Sequence, residues 1–177
     1  MILPSSPRPP VSPGPESAGA FREAERYRLR SLERCGLLDS GDEERFDRLT
    51  RRAQAQFGVM GSTISLLAED RLYLKSSPVH FPRNLRRDAS ICSVTLRGEG
   101  PLVVPDLLAD TRFAQNPMVV GEPFIRFYAG MPLRGPGGWF VGAFCLLGTE
   151  PRALDRWELT QLGRLAEQAE IELNTLP

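Results

Sequence analysis

The sequence predicts an α+β fold in which an antiparallel sheet carries helices on one face and a loop-covered pocket on the other. Three observations lead there. Two helical runs lie near the start of the chain and one closes it, two β-rich hairpins lie between them, and the stretch joining the hairpins, about 78–122, is irregular. The helices cover one sheet face, so the other falls to that joining stretch, and a pocket roofed by loops results. With 177 residues, 41% of them hydrophobic, the chain has the size of one domain, and a domain of about 150 residues buries roughly 70% of the surface exposed by its unfolded chain.

Residues 1–19 are dominated by Pro, Ser and Gly and read as a flexible tail, because such a composition buries too little apolar surface to offset the entropy of ordering it. The domain proper is taken as 20–177. From Ala20 to Cys35, apolar and small residues at 20, 21, 24, 27, 31, 32 and 35 recur at helical spacing, and Gly36 is placed to stop the helix in a left-handed turn. Ser40 and Glu43 have the spacing of a capping box for a second helix, whose apolar stripe is Phe46, Leu49, Ala53 and Phe57 and whose end is Gly58. "STISLLAED" and "RLYLKSS" form a hairpin turning at Glu69 and Asp70.

Residues 78–90 read as irregular and charged, "SICSVTL" as a short apolar helix, and "GPLVVPD" as a short strand closed by Pro105. "LLADTRFAQNPMVVGEP" is interrupted by Asn116, Pro117 and Gly121 and holds helical turns at most. "FIRFYAGMPL" and "GWFVGAFCLLGTE" are two strands joined by the Gly-Pro-Gly-Gly turn at 135–138. A last helix runs from about Leu154 to Leu176. Its stripe of Leu159, Leu162, Ala166, Ala169, Leu173 and Leu176 serves equally as a dimer seam or as core packing.

Composition narrows the partners. Basic and acidic side chains balance at 22 each, so no overall charge draws the chain to nucleic acid or to an anionic membrane surface. No apolar run reaches the ~18 residues of a membrane span, and the first residues lack the apolar core of a secretion signal. The three cysteines lie far apart without a C-x-x-C spacing, which indicates neither a disulfide framework nor a zinc site. A reducing cytoplasm is the expected compartment.

"LERCGLLDSGDEERFDRLTRRAQAQFG", "SLLAEDRLYLKS", "SICS", "LVVPDLLADTRFAQNP" and "IRFYAGMPLRGPGGWFVGAFCLLG", in that order and spacing, resemble a GAF domain over residues 26 to about 175. GAF domains are small-molecule sensor modules of bacterial signalling proteins, related in fold to PAS domains. The resemblance implies a GAF/PAS-like antiparallel sheet of five to six strands, with terminal helices on one face and a ligand pocket on the other. It also implies a regulatory role, often as a homodimer joined through the terminal helices. The subtype is the GAF domain placed near the N-terminus of histidine kinases and diguanylate cyclases, which makes either an expected output partner. No output domain follows within this sequence, so both a free-standing sensor and part of a longer protein fit.

The chemistry-bearing residues give a set of candidate ligand contacts: Cys92, Asp106, Phe113, Phe124, Arg126 and Tyr128. Alternation along a strand puts Phe124, Arg126 and Tyr128 on one face and Ile125, Phe127, Met131 and Leu133 on the helix-packed face. The first set then faces the 78–122 excursion, which holds Cys92, Asp106 and Phe113. Arg126 either floors a pocket for an anionic ligand or pairs with a carboxylate such as Asp106. Cys92 reads foremost as a small buried hydrophobe, since "SICSVT" supplies no basic neighbour to activate a thiol.

Bilin-binding relatives carry an aspartate motif and a histidine beside the cysteine, and cyclic-nucleotide relatives an Asn-Lys-x-Asp-Phe-Asp-Glu signature; both are missing here. Free methionine sulfoxide reductases are GAF enzymes with redox cysteines on loops around the pocket. Cys35 at a helix end and Cys145 in mid-strand are not placed for that chemistry on the sequence. His80, the single histidine, reads as a loop residue without a second metal ligand. The expected function is a cytoplasmic sensory or regulatory module that binds an unidentified small molecule, performs no chemistry and signals through its terminal helices. A ligand-free domain for dimerisation is the alternative, and a methionine sulfoxide reductase the third.

Overall fold

A computed structural model describes residues 15–77 and 79–175. The first helix, α1 (Pro15–Cys35), begins inside the segment expected as a tail. A proline at the first helical position loses nothing there, because its missing N–H would have no partner in any case. Residues 1–14 lie outside the described residues, and so does Leu176 of the terminal stripe. Gly36, at φ +64°, ends α1, and Gly58, at φ +59°, ends α2 (Glu44–Phe57) with its N–H on Gln54 O. Both stop in the left-handed region, where a glycine carries no steric penalty.

Strands β1 (Gly61–Leu67) and β2 (Arg71–Ser76) form the first hairpin, with a short β3 (Asn84–Arg86) on its outer edge. β4 (Leu102–Val104), β5 (Phe127–Arg134) and β6 (Phe140–Gly148) complete one antiparallel sheet in the order β3-β2-β1-β6-β5-β4. The expected five to six strands are six. The additional one, β3, falls in the stretch expected to be irregular: it is three residues long with exposed polar ends, so neither alternation nor apolar content marks it. The short helix α3 (Cys92–Thr95) and the single turn α4 (Pro117–Val120) stand where predicted. The last helix, α5 (Arg156–Asn174), is opened by a capping box of Asp155 and Glu158.

The sheet is buried on both faces. Helices α1, α2 and α5 cover one, packing Leu32, Phe46, Ala53, Leu162, Ala166 and Ala169 onto Ile64, Leu66, Phe127, Ala129 and Phe144. The segment from Phe81 to Ile125 roofs the other, packing Ile91, Cys92, Leu107, Phe113 and Val119 onto Leu72, Leu74, Tyr128, Ala143 and Cys145. The stripe on α5 is therefore used by the chain's own core at Leu162, Ala166, Ala169 and Leu173. The exposed apolar residues of that helix, Trp157 and Ile171, lie off it.

Lys75 is the chain's one lysine and is 0% exposed. Its ammonium donates to Ser40 Oγ at 2.6 Å, Gly41 O at 2.7 Å and Glu43 Oε1 at 2.6 Å. Ser40 and Glu43 thus do not close a capping box: Glu43 itself is the N-cap of α2, without a side-chain cap bond, and both side chains turn to the buried ammonium instead. Three acceptors match the three donors of a lysine, which is what lets the charge stay in the interior. Arg45 also contacts Glu43, at 2.7 Å, so Lys75→Met leaves the carboxylate one partner. The expected loss is about 2–4 kcal/mol of unfolding free energy in urea denaturation; a loss below about 1 kcal/mol would show that the cluster is not holding the 40–43 loop.

Candidate functional site

The roofed face of the sheet places one set of polar groups in an otherwise apolar interior. On β5, Tyr128 and Gly130 are two residues apart and so share a face. On β6, Cys145 stands opposite Gly130. A Cβ at position 130 would lie 2.3 Å from Tyr128 Oη and 2.9 Å from Thr95 Oγ1. The absent side chain is therefore the space in which the Tyr128 hydroxyl sits. That hydroxyl bonds Thr95 Oγ1 at 2.6 Å, and its oxygen lies 3.2 Å from Cys145 Sγ. Cys145 Sγ is in turn 3.3 Å from Cys92 Sγ. Thr95 and Cys92 are the two ends of α3, so one short helix meets the sheet through both ends of a four-residue polar chain.

Burial of this chain shifts its acidities. The Cys145 thiol pulls Cys92 down, against its burial, by hydrogen-bonding to the thiolate. Burial pushes Tyr128 well up, helped by the charges of Cys145 and Cys92, and pushes Cys145 well up, helped by its hydrogen bond to Cys92. The two thiols titrate as one pair, with Cys92 shifted down and Cys145 up. Cys35 lies on the helix-covered face, donates to Ser31 O at 3.4 Å and is raised to about 11 by burial.

This geometry corrects the sequence reading at Cys145. A mid-strand cysteine with no local motif is expected to be out of reach of Cys92, yet the register of the second hairpin brings the two sulfurs into contact. The available signal is long-range. Pairing back from the 135–138 turn puts Cys145 beside Gly130, on the face that alternation assigns to Tyr128.

The cavity beside this chain is small. It holds about 30 Å³, lined by Thr63, Leu72, Ser90, Cys92, Ile125 and Tyr128 among others, room for a water molecule or two. Among the described residues Ser90 Oγ, which is buried at its edge, has no hydrogen-bond partner. Among the described residues the roofed face beside this chain is thus filled largely by the protein's own side chains.

The remaining candidates fall in three places. Arg126 and Asp106 form a two-pronged ion pair, Nε to Oδ1 at 2.8 Å and a terminal nitrogen to Oδ2 at 2.7 Å, at the half-exposed end of β5 and outside the cavity. The Arg126 guanidinium holds the Asp106 carboxyl below the usual carboxylate range. Of the two readings of Arg126, the carboxylate partner is the one the structure realises. Phe113 is buried in the roof.

Phe124 is 53% exposed, and Ile125, expected on the helix-packed face, is buried in the roof cluster. Both differences have one cause. Phe124 sits at φ +58°, in the left-handed region, so the chain turns there and β5 begins only at Phe127; strand alternation does not extend back to 124 and 125. His80 is exposed, and no group of three metal-binding side chains occurs among the described residues.

A larger space, about 540 Å³, opens between α1 and the roof, lined by Phe21, Arg28, Arg87, Val94, Arg97 and Trp139 among others. Its floor is an ion network centred on Glu25 of α1. Arg28 donates to both oxygens of Glu25 at 2.7 and 2.8 Å, and Arg87 of the roof donates to it at 2.9 Å. Each arginine is also tied to the first hairpin, Arg28 through Leu67 O and Arg87 through Ala68 O and Glu69 O. The hydrogen bond from Arg28 is the foremost cause that lowers the Glu25 carboxyl to about 2, against partial burial. Nothing local in the sequence marks this network, since Glu25 and Arg87 stand far apart and each reads as a surface charge.

A sequence profile of the GAF domain matches residues 43–173. The chain belongs to the GAF domain family. A cyclic di-GMP phosphodiesterase of Pseudomonas aeruginosa is 33% identical to this GAF domain over 157 residues, 88% of the present chain; the chain spans only 27% of that relative's length. Among solved structures, the fold resembles the free methionine-R-sulfoxide reductase of Neisseria meningitidis (TM-score 0.61, 16% identity, 92% of each chain). It also resembles the GAF domain of an Acinetobacter phosphoenolpyruvate-protein phosphotransferase (TM-score 0.58, 16% identity, 83% of this chain and 92% of that one). A third such structure is the PixJ GAF domain of Thermosynechococcus elongatus (TM-score 0.58, 13% identity, 85% and 86%).

These findings place the chain in a signalling context and correct the expectation of a protein that performs no chemistry. The 33%-identical relative, of which this chain spans 27%, is named as an enzyme. Among the described residues no helix is long and apolar enough to cross a membrane.

The chain from Thr95 to Cys145 gives a direct test. Tyr128→Phe leaves the buried Thr95 hydroxyl without its partner, and an unsatisfied buried hydroxyl costs about 1–3 kcal/mol. Thr95→Val removes the other half at nearly constant shape. In a double-mutant cycle followed by urea denaturation, the two losses together should fall short of their sum by about 1 kcal/mol; strict additivity would mean the 2.6 Å contact is not made in solution.

Proposed function

We propose that this GAF domain is the regulatory module of a cytoplasmic cyclic di-GMP signalling enzyme, one that transmits the state of its roof to its terminal helices. The observation that carries the proposal is the Glu25 network. One carboxylate on α1 holds Arg87, five residues before Cys92 in the roof, and is itself oriented by Arg28. A shift of the roof therefore changes the partners of a charge on the terminal helix α1, which is what a two-state relay needs. The phosphodiesterase relative supports the output partner by analogy, being a longer protein of which a segment of this length is one part. The groove of about 540 Å³ over the network is where a small molecule has room, since ligand sites commonly span about 300–1,000 Å³. Its three arginines outnumber the two carboxylates of the lining, Glu25 and Asp88, and with its aromatic side chains suit an anionic, partly aromatic ligand.

The filled roof favours a second reading, in which the module works by association through its terminal helices. Phe21 and Tyr27 on α1 and Trp157 and Ile171 on α5 are exposed. Light scattering distinguishes it: a monomer at micromolar concentration removes this reading.

Replacing the matching segment of the Pseudomonas phosphodiesterase by this chain should preserve cyclic di-GMP hydrolysis, and Glu25→Gln in that chimera should change kcat severalfold. Equal rates with and without the substitution would defeat the relay. The same carboxylate sets a pH dependence. Its pKa is depressed in the folded state, from 4.5 to about 2, so its stabilisation is complete above about pH 4.5 and is lost as pH falls through about 2. Glu25→Gln should accordingly cost about 1–3 kcal/mol at pH 7, allowing for partial exposure, and almost nothing near pH 2.

A further inference from the structure

The geometry points to Cys92 and Cys145 as a peroxide-sensitive dithiol that closes to an intramolecular disulfide and pins the roof to the sheet. Four observations bear on it. The two sulfurs are 3.3 Å apart, so closure to the ~2.05 Å of a disulfide needs about 1 Å of movement. Cys92 is carried by α3, a single four-residue helix in the roof, whereas Cys145 is fixed in a central strand; the mobile partner is therefore the roof. Cys92 and Ser90 both border a cavity of about 30 Å³, enough for hydrogen peroxide, which is little larger than water. The hydrogen bonds from Cys145 favour the thiolate at Cys92, the form that attacks a peroxide.

The chemistry balances in two steps. The Cys92 thiolate attacks one oxygen of hydrogen peroxide and the O–O bond breaks. The departing hydroxide takes up a proton to leave as water, and Cys92 is left as a sulfenic acid, oxidised by two electrons. The Cys145 sulfur then attacks the Cys92 sulfur, the S–O bond breaks, and the sulfenic oxygen leaves as a second water with the thiol proton. A low-molecular-weight dithiol reverses the bridge by exchange. Cys35, on the far side of the sheet and with its thiol raised to about 11, is the internal control. Closure also removes the thiol proton that Cys145 can offer the Tyr128 hydroxyl, so the polar chain is rearranged at the helix that follows Arg87. The bridge itself does not depend on the relay proposed above.

The test uses the folded chain treated with hydrogen peroxide and then alkylated without reductant. Before alkylation the intact mass should fall by two hydrogens; after alkylation in urea two of its three thiols should be missing, and a Cys92–Cys145 peptide should appear that dithiothreitol removes. In Cys145→Ser, a dione probe should instead trap a sulfenic acid at Cys92. Amide exchange across residues 84–97 should slow at least severalfold on oxidation of the unmodified chain. The inference is overturned if all three thiols survive conditions that oxidise the urea-unfolded chain, if thiol loss merely tracks global unfolding, or if the bridge involves Cys35 or a second chain. The first experiment needs no substitution, so it decides the matter even where a serine variant fails to fold.

Discussion

Burial of the sheet on both faces is the constraint from which the rest of this domain follows. Strands β1, β5 and β6 carry almost no exposed residue, and three helices can seal only one side. The other side must be sealed by chain without long regular structure. That chain supplies apolar anchors at Leu107, Phe113, Val119 and Ile125, but the polar side chains it buries still need partners. The polar chain from Thr95 to Cys92 meets this requirement with hydroxyls and thiols, groups that can be buried at modest cost when they bond one another. Polar chemistry inside the roof is thus a product of how the roof is held down.

The two faces are also joined at their margin. Glu25 belongs to the helical layer and Arg87 to the roof, and both arginines of the network rest on carbonyls of the first hairpin. Moving either layer breaks charge-assisted bonds in a partly shielded site, where such bonds are stronger than neutral ones. The Arg126–Asp106 pair at the other end of the roof does a comparable job with more water around it. The roof is thus tied to the rest of the domain at both ends and, through α3, in its middle.

The layers, the two hairpins and the helix ends are legible in the sequence because each leaves a local trace. Phe46, Leu49, Ala53 and Phe57 repeat at helical spacing, Gly36 and Gly58 mark left-handed stops, and the 135–138 turn fixes a hairpin. What escapes is anything set by contacts between distant residues. Strand alternation fails at Phe124 because one left-handed residue resets it. The Ser40 and Glu43 spacing fits a capping box equally well whether or not a buried lysine claims both side chains. Cys145 looks like an apolar strand residue until register is counted across the hairpin. Of the candidate residues Cys92, Phe113 and Tyr128 are buried together and Phe124 lies on the surface, while the contacts of Glu25, Arg87 and Cys145 have no local signature.

Lys75 carries a consequence beyond the fold. It is the chain's one lysine and its amine is sealed behind Ser40, Gly41 and Glu43, so in the native state no side-chain amine is offered to acylating agents or to isopeptide-forming enzymes. Such a reaction becomes possible only when the 40–43 loop lifts away from β2. The residue is a latent handle: any covalent mark found on it records that the molecule had opened at that edge.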